Sequence, residues 1–118
     1  MSEPISETGE SKIWVVETTL SATEQKPVTI PGIEASKGFI HKIRRIEVKA
    51  LPKVLLQPRI NEKPLFTVEA KDIGPDGRWV RFNLEYGKKF DVVVRNPYQF
   101  TVKVYILFAG VVEEIKGG

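Results

Sequence analysis

Residues 98–110, YQFTVKVYILFAG, place Phe100, Val102, Val104, Ile106 and Phe108 at every second position. A period of two is the signature of a β-strand with one face in a core, and no helix presents apolar groups that way. The intervening residues Thr101, Lys103, Tyr105 and Leu107 become drier toward the end of the run. A strand apolar on both faces belongs at the centre of a sheet covered on each side.

The rest of the chain follows the same rule. After a polar opening, short segments rich in β-branched and aromatic residues alternate with turn residues. KIWVVETTL (12–20) is read as the first strand, SATEQ as a turn, and KPVTIPG (26–32) as a short strand with prolines at both ends, hence an edge. Within GFIHKIRRIEVKA (38–50), Ile46, Val48 and Ala50 alternate with Glu47 and Lys49. Ile40 and Ile43 fall on opposite faces, so the phase slips between Ile43 and Ile46, which predicts a β-bulge. KVLLQPRI (53–60) and KPLFTVEA (63–70) are expected to form a hairpin across Asn61-Glu62, and DIGPDGR (72–78) a tight reversal. WVRFNLEYG (79–87) sets Val80, Phe82, Leu84 and Tyr86 on one face. KFDVVVRN (89–96), the run 98–110 and VVEEI (111–115) complete the series. Eight or nine strands with regularly spaced turns and no helix predict an all-β fold spanning 12–118, a sandwich or a barrel.

Residues 1–11 hold Glu3, Glu7 and Glu10, no base, and too little apolar surface to order themselves, so they are read as a flexible acidic arm. They contain no basic region followed by an apolar block, which argues against a Sec-type signal, and no stretch is long and apolar enough to span a bilayer. With 118 residues and 42% hydrophobic content, the chain suffices for one domain with its own core. The absence of cysteine removes disulfides, thiolate metal sites and cysteine nucleophiles, and leaves the compartment open. Sparse Asn, Gln and Met beside abundant Lys, Glu and Ile resembles thermophile usage.

The net charge is +3, concentrated in residues 37–63, where eight Lys/Arg face Glu47 and Glu62. Such a segment is either a solvated sheet face or a surface for an acidic partner. Lys42, Arg44 and Arg45 are the candidate basic face. His41 is the only histidine, and a triad or metal site needs partners that the sequence does not place beside it. Glu113-Glu114 point to opposite faces of a strand, and Asp72 and Asp76 flank too short a loop to hold calcium. No phosphate loop or nucleophile elbow occurs, so no enzymatic activity, cofactor or metal is expected.

Two ligand classes remain. Trp79, beside GPDGR, and Tyr98, in NPYQ, are loop-proximal rings of the kind that carbohydrate-binding sandwiches present, although packing over a strand end to close the core is the favoured reading of each. Trp14, Trp79, Tyr98 and Tyr105 interleaved with Arg44, Arg45, Arg78 and Arg81 suit a nucleic-acid-binding β-barrel, but a single basic and aromatic face is not established by spacing alone. Val93, Tyr105 and Leu107, apolar on the second faces of their strands, are the candidate subunit interface.

GFIHKIRRIEVKA, followed by short strands and then KKFDVVVRNPYQFTVKVYILFAG, resembles the small single jelly-roll structural proteins of virus and phage particles. In those proteins a penultimate strand turns into a long aromatic strand that ends the sandwich. The resemblance implies a single jelly-roll-like antiparallel β-sandwich serving as a non-enzymatic capsid or decoration component in the virion, acting as a homo-oligomer, often threefold, or with other virion proteins. No membrane partner is implied.

Overall fold

The computed structural model describes residues 9–115. They form two antiparallel sheets packed face to face. The strands are β1 (Glu10–Leu20), β2 (Gln25–Val28), β3 (Phe39–Lys49), β4 (Leu55–Ile60), β5 (Lys63–Pro64), β6 (Val68–Glu69), β7 (Arg78–Glu85), β8 (Phe90–Arg95) and β9 (Val102–Glu114). One helical turn, α1 (Ala70–Ile73), interrupts them. The first sheet has the order β1-β9-β3-β7; the second runs β2-β8-β4-β5, with β6 also on β4.

This order is that of a jelly roll. β1 pairs with β9, β2 with β8, β3 with β7, and β4 with β5 and β6, each pair nested inside the one before. The chain is therefore one long two-stranded ribbon, doubled at Asn61-Glu62 and rolled until β9 meets β3 and β8 meets β4. At the tip, Asn61 (φ 50°) and Glu62 (φ 68°) both take the left-handed conformation of a two-residue hairpin loop.

Alternation sets the two faces. Even-numbered Val102, Val104, Ile106 and Phe108 of β9 are buried, and Trp14 and Leu20 of β1 join them. From the second sheet come Leu56, Phe90, Val92 and Val94. Phe82 stacks on Phe90 at 5.4 Å, and Phe108 meets both rings edge-on, so three aromatic rings tie the sheets together. At one end the β2–β3 crossover buries Ile30 and Ile33. At another, Asn96 is fully buried. Its amide donates to the carbonyls of Leu20, Ser21 and Phe100, and its Oδ1 accepts from the Tyr98 amide.

The expected bulge is present. The register of β3 shifts between Ile43 and Arg45: against β9, Arg44 is the extra residue, while against β7 it stands opposite two residues, Val80 and Arg81. Gly110 stands opposite Ile43, and a Cβ there would collide with the Lys42 carbonyl, so this close approach requires glycine. β2 is an edge strand, as proline predicts, but it covers Gln25–Val28 rather than 26–32 and so holds Pro27 alone.

Four other boundaries differ from the sequence reading. β9 starts at Val102 rather than 98, because the Asn96 amide binds the backbone of 98–100 into a loop, and Phe100 is left 53% exposed. Residues 111–114 continue β9 instead of forming a separate strand, so Glu113 and Glu114 lie in the sheet and not in a tail. The 63–70 segment breaks into β5 and β6, then curls into α1, which the amides of Ala70 and Lys71 anchor to the Val54 and Pro52 carbonyls. Glu10 and Ser11, expected in the arm, pair with Val112 and Val111; residues 1–8 of that expected arm lie outside the described residues.

Candidate functional site

The outer face of the four-stranded sheet is where the fold leaves functional-looking groups together. Because β1 and β9 keep a constant register, Ile13 lies beside Ala109 and Val15 beside Leu107. Across β9, Ala109 is beside Arg45 and Leu107 beside Glu47. Arg45 in turn lies beside Trp79 of β7. Two parallel rows result: Ile13, Ala109, Arg45, Trp79 in one, and Val15, Leu107, Glu47 in the next. Ile13 is 63% exposed, Val15 41% and Trp79 76%.

The bulge determines the chemistry at the β7 side. At this irregularity the two consecutive arginines, Arg44 and Arg45, both lie beside Trp79. Arg45 sits with its guanidinium 5.7 Å from the indole centroid and bonds Glu47 Oε2 at 3.0 Å. Arg44 reaches the Asn83 side chain at 3.2 Å and the Ile43 carbonyl at 2.9 Å. Lys42 pairs with Glu113 at 3.0 Å. The basic-face residues thus share one surface, each engaged with a neighbour. Trp79 lines an open concavity of about 420 Å³ with Lys12, Ile13, Arg44, Arg45 and Ala109, and a second of about 480 Å³ with Arg44, Val80 and Arg81. Gly77, where β7 begins, has φ +83° and leaves no room for a Cβ beside Glu47 and the Ile46 carbonyl, which brings the Trp79 strand tightly onto β3.

The other expected residues are dispersed. Tyr105 and Leu107 are half-buried on this face, with Lys49 5.8 Å from the Tyr105 ring centroid. Val93 is on the other sheet, between Pro27 and Gln57, so it faces away from Tyr105 and Leu107. Tyr98 is packed against the core, with its hydroxyl accepting from the Lys53 amide. It is thus occupied in closing the β8–β9 connection and forms no platform with Trp79. Trp14, read from sequence as a stacking candidate, is buried, because even-numbered residues of β1 face the core.

His41 is buried too. Its Nδ1 donates to the Ile33 carbonyl at 2.6 Å, since a carbonyl only accepts, and its ring stacks on Trp14 at 5.0 Å. This is a structural station at the sandwich end. Among the described residues no group of three or more His, Asp or Glu could hold a metal ion, and no helix is long and apolar enough to cross a membrane.

The outer face of the five-stranded sheet is of another kind. Arg59 grips Asp91 through two bonds of 2.7 Å, flanked by Gln57, Gln25 and Arg95. The hydrogen bond to Asp91 raises the Arg59 pKa above its ordinary value, and Glu69 does the same for Lys71. Any stabilisation from these raised values is complete below the ordinary pKa of each base and is lost only as pH climbs through the raised one, in strongly alkaline solution.

The residues that sequence reasoning missed are Ile13 and Val15. The signal was present: β1 carries apolar groups on both faces, and only the Trp14 side finds a cover. Fold and face together define a jelly-roll sandwich with an exposed apolar and basic row across one sheet. No family model and no curated protein matches the chain.

Proposed function

We propose that this protein is a non-enzymatic structural module that works by subunit–subunit contact, as a capsid or decoration component of a virus or phage particle would. The observation that carries the reading is the set of apolar side chains on the outer face of the four-stranded sheet: exposed Ile13 and Val15 of β1 beside Ala109 and Leu107 of β9, with exposed Trp79 at the far edge beyond Arg45. Monomeric proteins rarely leave contiguous apolar surface on a regular face, and such patches mark contact sites. The jelly-roll strand order is compatible with this role and also with lectin-like and other binding roles, so the face carries the argument and the topology only permits it.

Size-exclusion chromatography with light scattering tests the reading. An oligomer that persists in about 1 M salt is expected, because screening at that ionic strength removes surface ion pairs but not apolar contact. A monomer at all concentrations would sink it. Trp79→Ala should leave thermal stability within about 0.5 kcal/mol of the parent, as for other surface changes, while weakening association.

One observation favours a second reading. Arg44, Arg45 and Arg81 around an exposed indole suit an anionic ligand that stacks, such as single-stranded nucleic acid, better than a neutral sugar. Steeply salt-dependent binding of an oligonucleotide, reduced in Trp79→Ala, would support it. Retention on polysaccharide lost in the same variant would instead favour the carbohydrate-binding alternative.

A further inference from the structure

The four outermost strands of the sandwich are finished very differently. β2 is four residues long and contains Pro27; β5 is two residues and ends in Pro64. β7 carries the register slip and arginines at 78 and 81. Short length, proline, bulges and charge are the devices that stop a sheet edge from pairing with another chain. β1 has almost none of them. It runs eleven residues without proline, keeps an unbroken register with β9, and among the described residues pairs with nothing else.

Its hydrogen-bonding side can be fixed. The Ile115 amide donates to the Gly38 carbonyl, so odd-numbered residues of β9 bond toward β3 and even-numbered ones toward β1. In the β1 register, Trp14 faces Phe108 and Val16 faces Ile106, so the even residues of β1 turn inward. The odd residues Ser11, Ile13, Val15, Glu17 and Thr19 point their N–H and C=O groups to the open edge. Consistently, the Thr19 carbonyl is capped by Lys26 Nζ at 3.0 Å.

We infer that β1 is the contact strand for a second copy of this chain, paired antiparallel about a two-fold axis through Trp14, which joins two four-stranded sheets into one of eight. This deepens the assembly reading and rests on it. The occupant follows from self-complementarity. Antiparallel partners must lie on the same face, which restricts the register to even offsets. Centring on Trp14 sets Ile13 against the partner copy's Val15, twice by symmetry, and opposes no like charges: Ser11 meets Glu17, and Lys12 meets Val16. Moving the axis to Val15 would instead press Ile13 against Glu17. In the Trp14 register the apolar row continues from Leu107 and Val15 of one copy into Ile13 and Ala109 of the other.

In this register residues 10–18 of the two copies oppose each other, nine residues at about 3.4 Å each, so the paired edge is roughly 31 Å long.

Three variants test this in the full chain by sedimentation and light scattering. Val15→Pro removes an N–H that faces only the open edge, and is expected to give monomers with an unchanged circular-dichroism spectrum. Ile13→Lys leaves the backbone intact and is expected to do the same, so a folding failure in the first variant does not close the question. The chain has no cysteine, so Ile13→Cys with Val15→Cys should form an intermolecular disulfide under mild oxidation, while neither single variant should; a cross-linked double variant supports the register. An oligomer of undiminished size in folded Val15→Pro and Ile13→Lys would overturn the β1 contact while leaving the assembly reading standing. A parent protein monomeric at every concentration would overturn both.

Discussion

The two sheets of this sandwich share one core but differ in nearly every other respect. The four-stranded sheet is made of strands of 11, 13, 11 and 8 residues, and its outer face is largely apolar and basic. The five-stranded sheet uses strands of two to six residues, interrupts them with prolines, and covers its outer face with glutamines and the Arg59–Asp91 pair. A core needs only the inner faces. The difference outside therefore shows where selection for something other than folding has room to act, and it lies on the sheet containing β1.

If the long sheet is the mechanical frame, its central strand should dominate stability. Phe108→Ala removes a fully buried ring that touches Phe82 in its own sheet and Phe90 across the sheet interface, and is expected to cost about 3–5 kcal/mol in chemical denaturation. A loss below about 1 kcal/mol would break the comparison. Gly110→Ala tests the bulge in the same sheet. The new methyl group meets the Lys42 carbonyl, so a loss of about 1–3 kcal/mol is expected. A loosened Arg44–Arg45 segment should also appear as faster amide exchange in β3.

The smallest effect belongs to the other sheet. Glu62 holds a left-handed conformation that glycine adopts without cost, so Glu62→Gly is expected to raise stability by up to about 1 kcal/mol, read as a higher melting temperature. A fall would mean that the hairpin tip depends on the glutamate side chain.

The long strands were the legible part of this molecule. Alternation in 102–108 and the slip between Ile43 and Ile46 are local, and each gave its face and its bulge directly. The edge position of β2 was legible from proline chemistry for the same reason. What local pattern could not supply was partnership. Whether Ile13 and Val15 are covered depends on β9 and β3 lying to one side of β1 with nothing described on the other, which is a property of topology. The same holds for the candidate site: Arg44 and Arg45 were recognised as a basic pair, but their approach to Trp79 comes from the β3–β7 register, and Val93 was grouped with Tyr105 although the roll puts them on opposite sides. Phe100 was misplaced because one side chain, Asn96, competes with the ladder for backbone groups at 98–100.

The rolled ribbon also bears on how the protein is made. β9 is synthesised after the other eight described strands, yet it lies between β1 and β3, the first and third of them. Until it arrives, those two strands have no common neighbour, and their inner edges stay open for the time taken to translate some fifty residues. Closure of the sheet thus waits on contacts that are remote in sequence and slow to form, on the order of milliseconds to seconds. A nascent chain stalled before residue 102 would expose two additional sticky edges, making premature termination a more serious hazard here than for a helical protein of similar length.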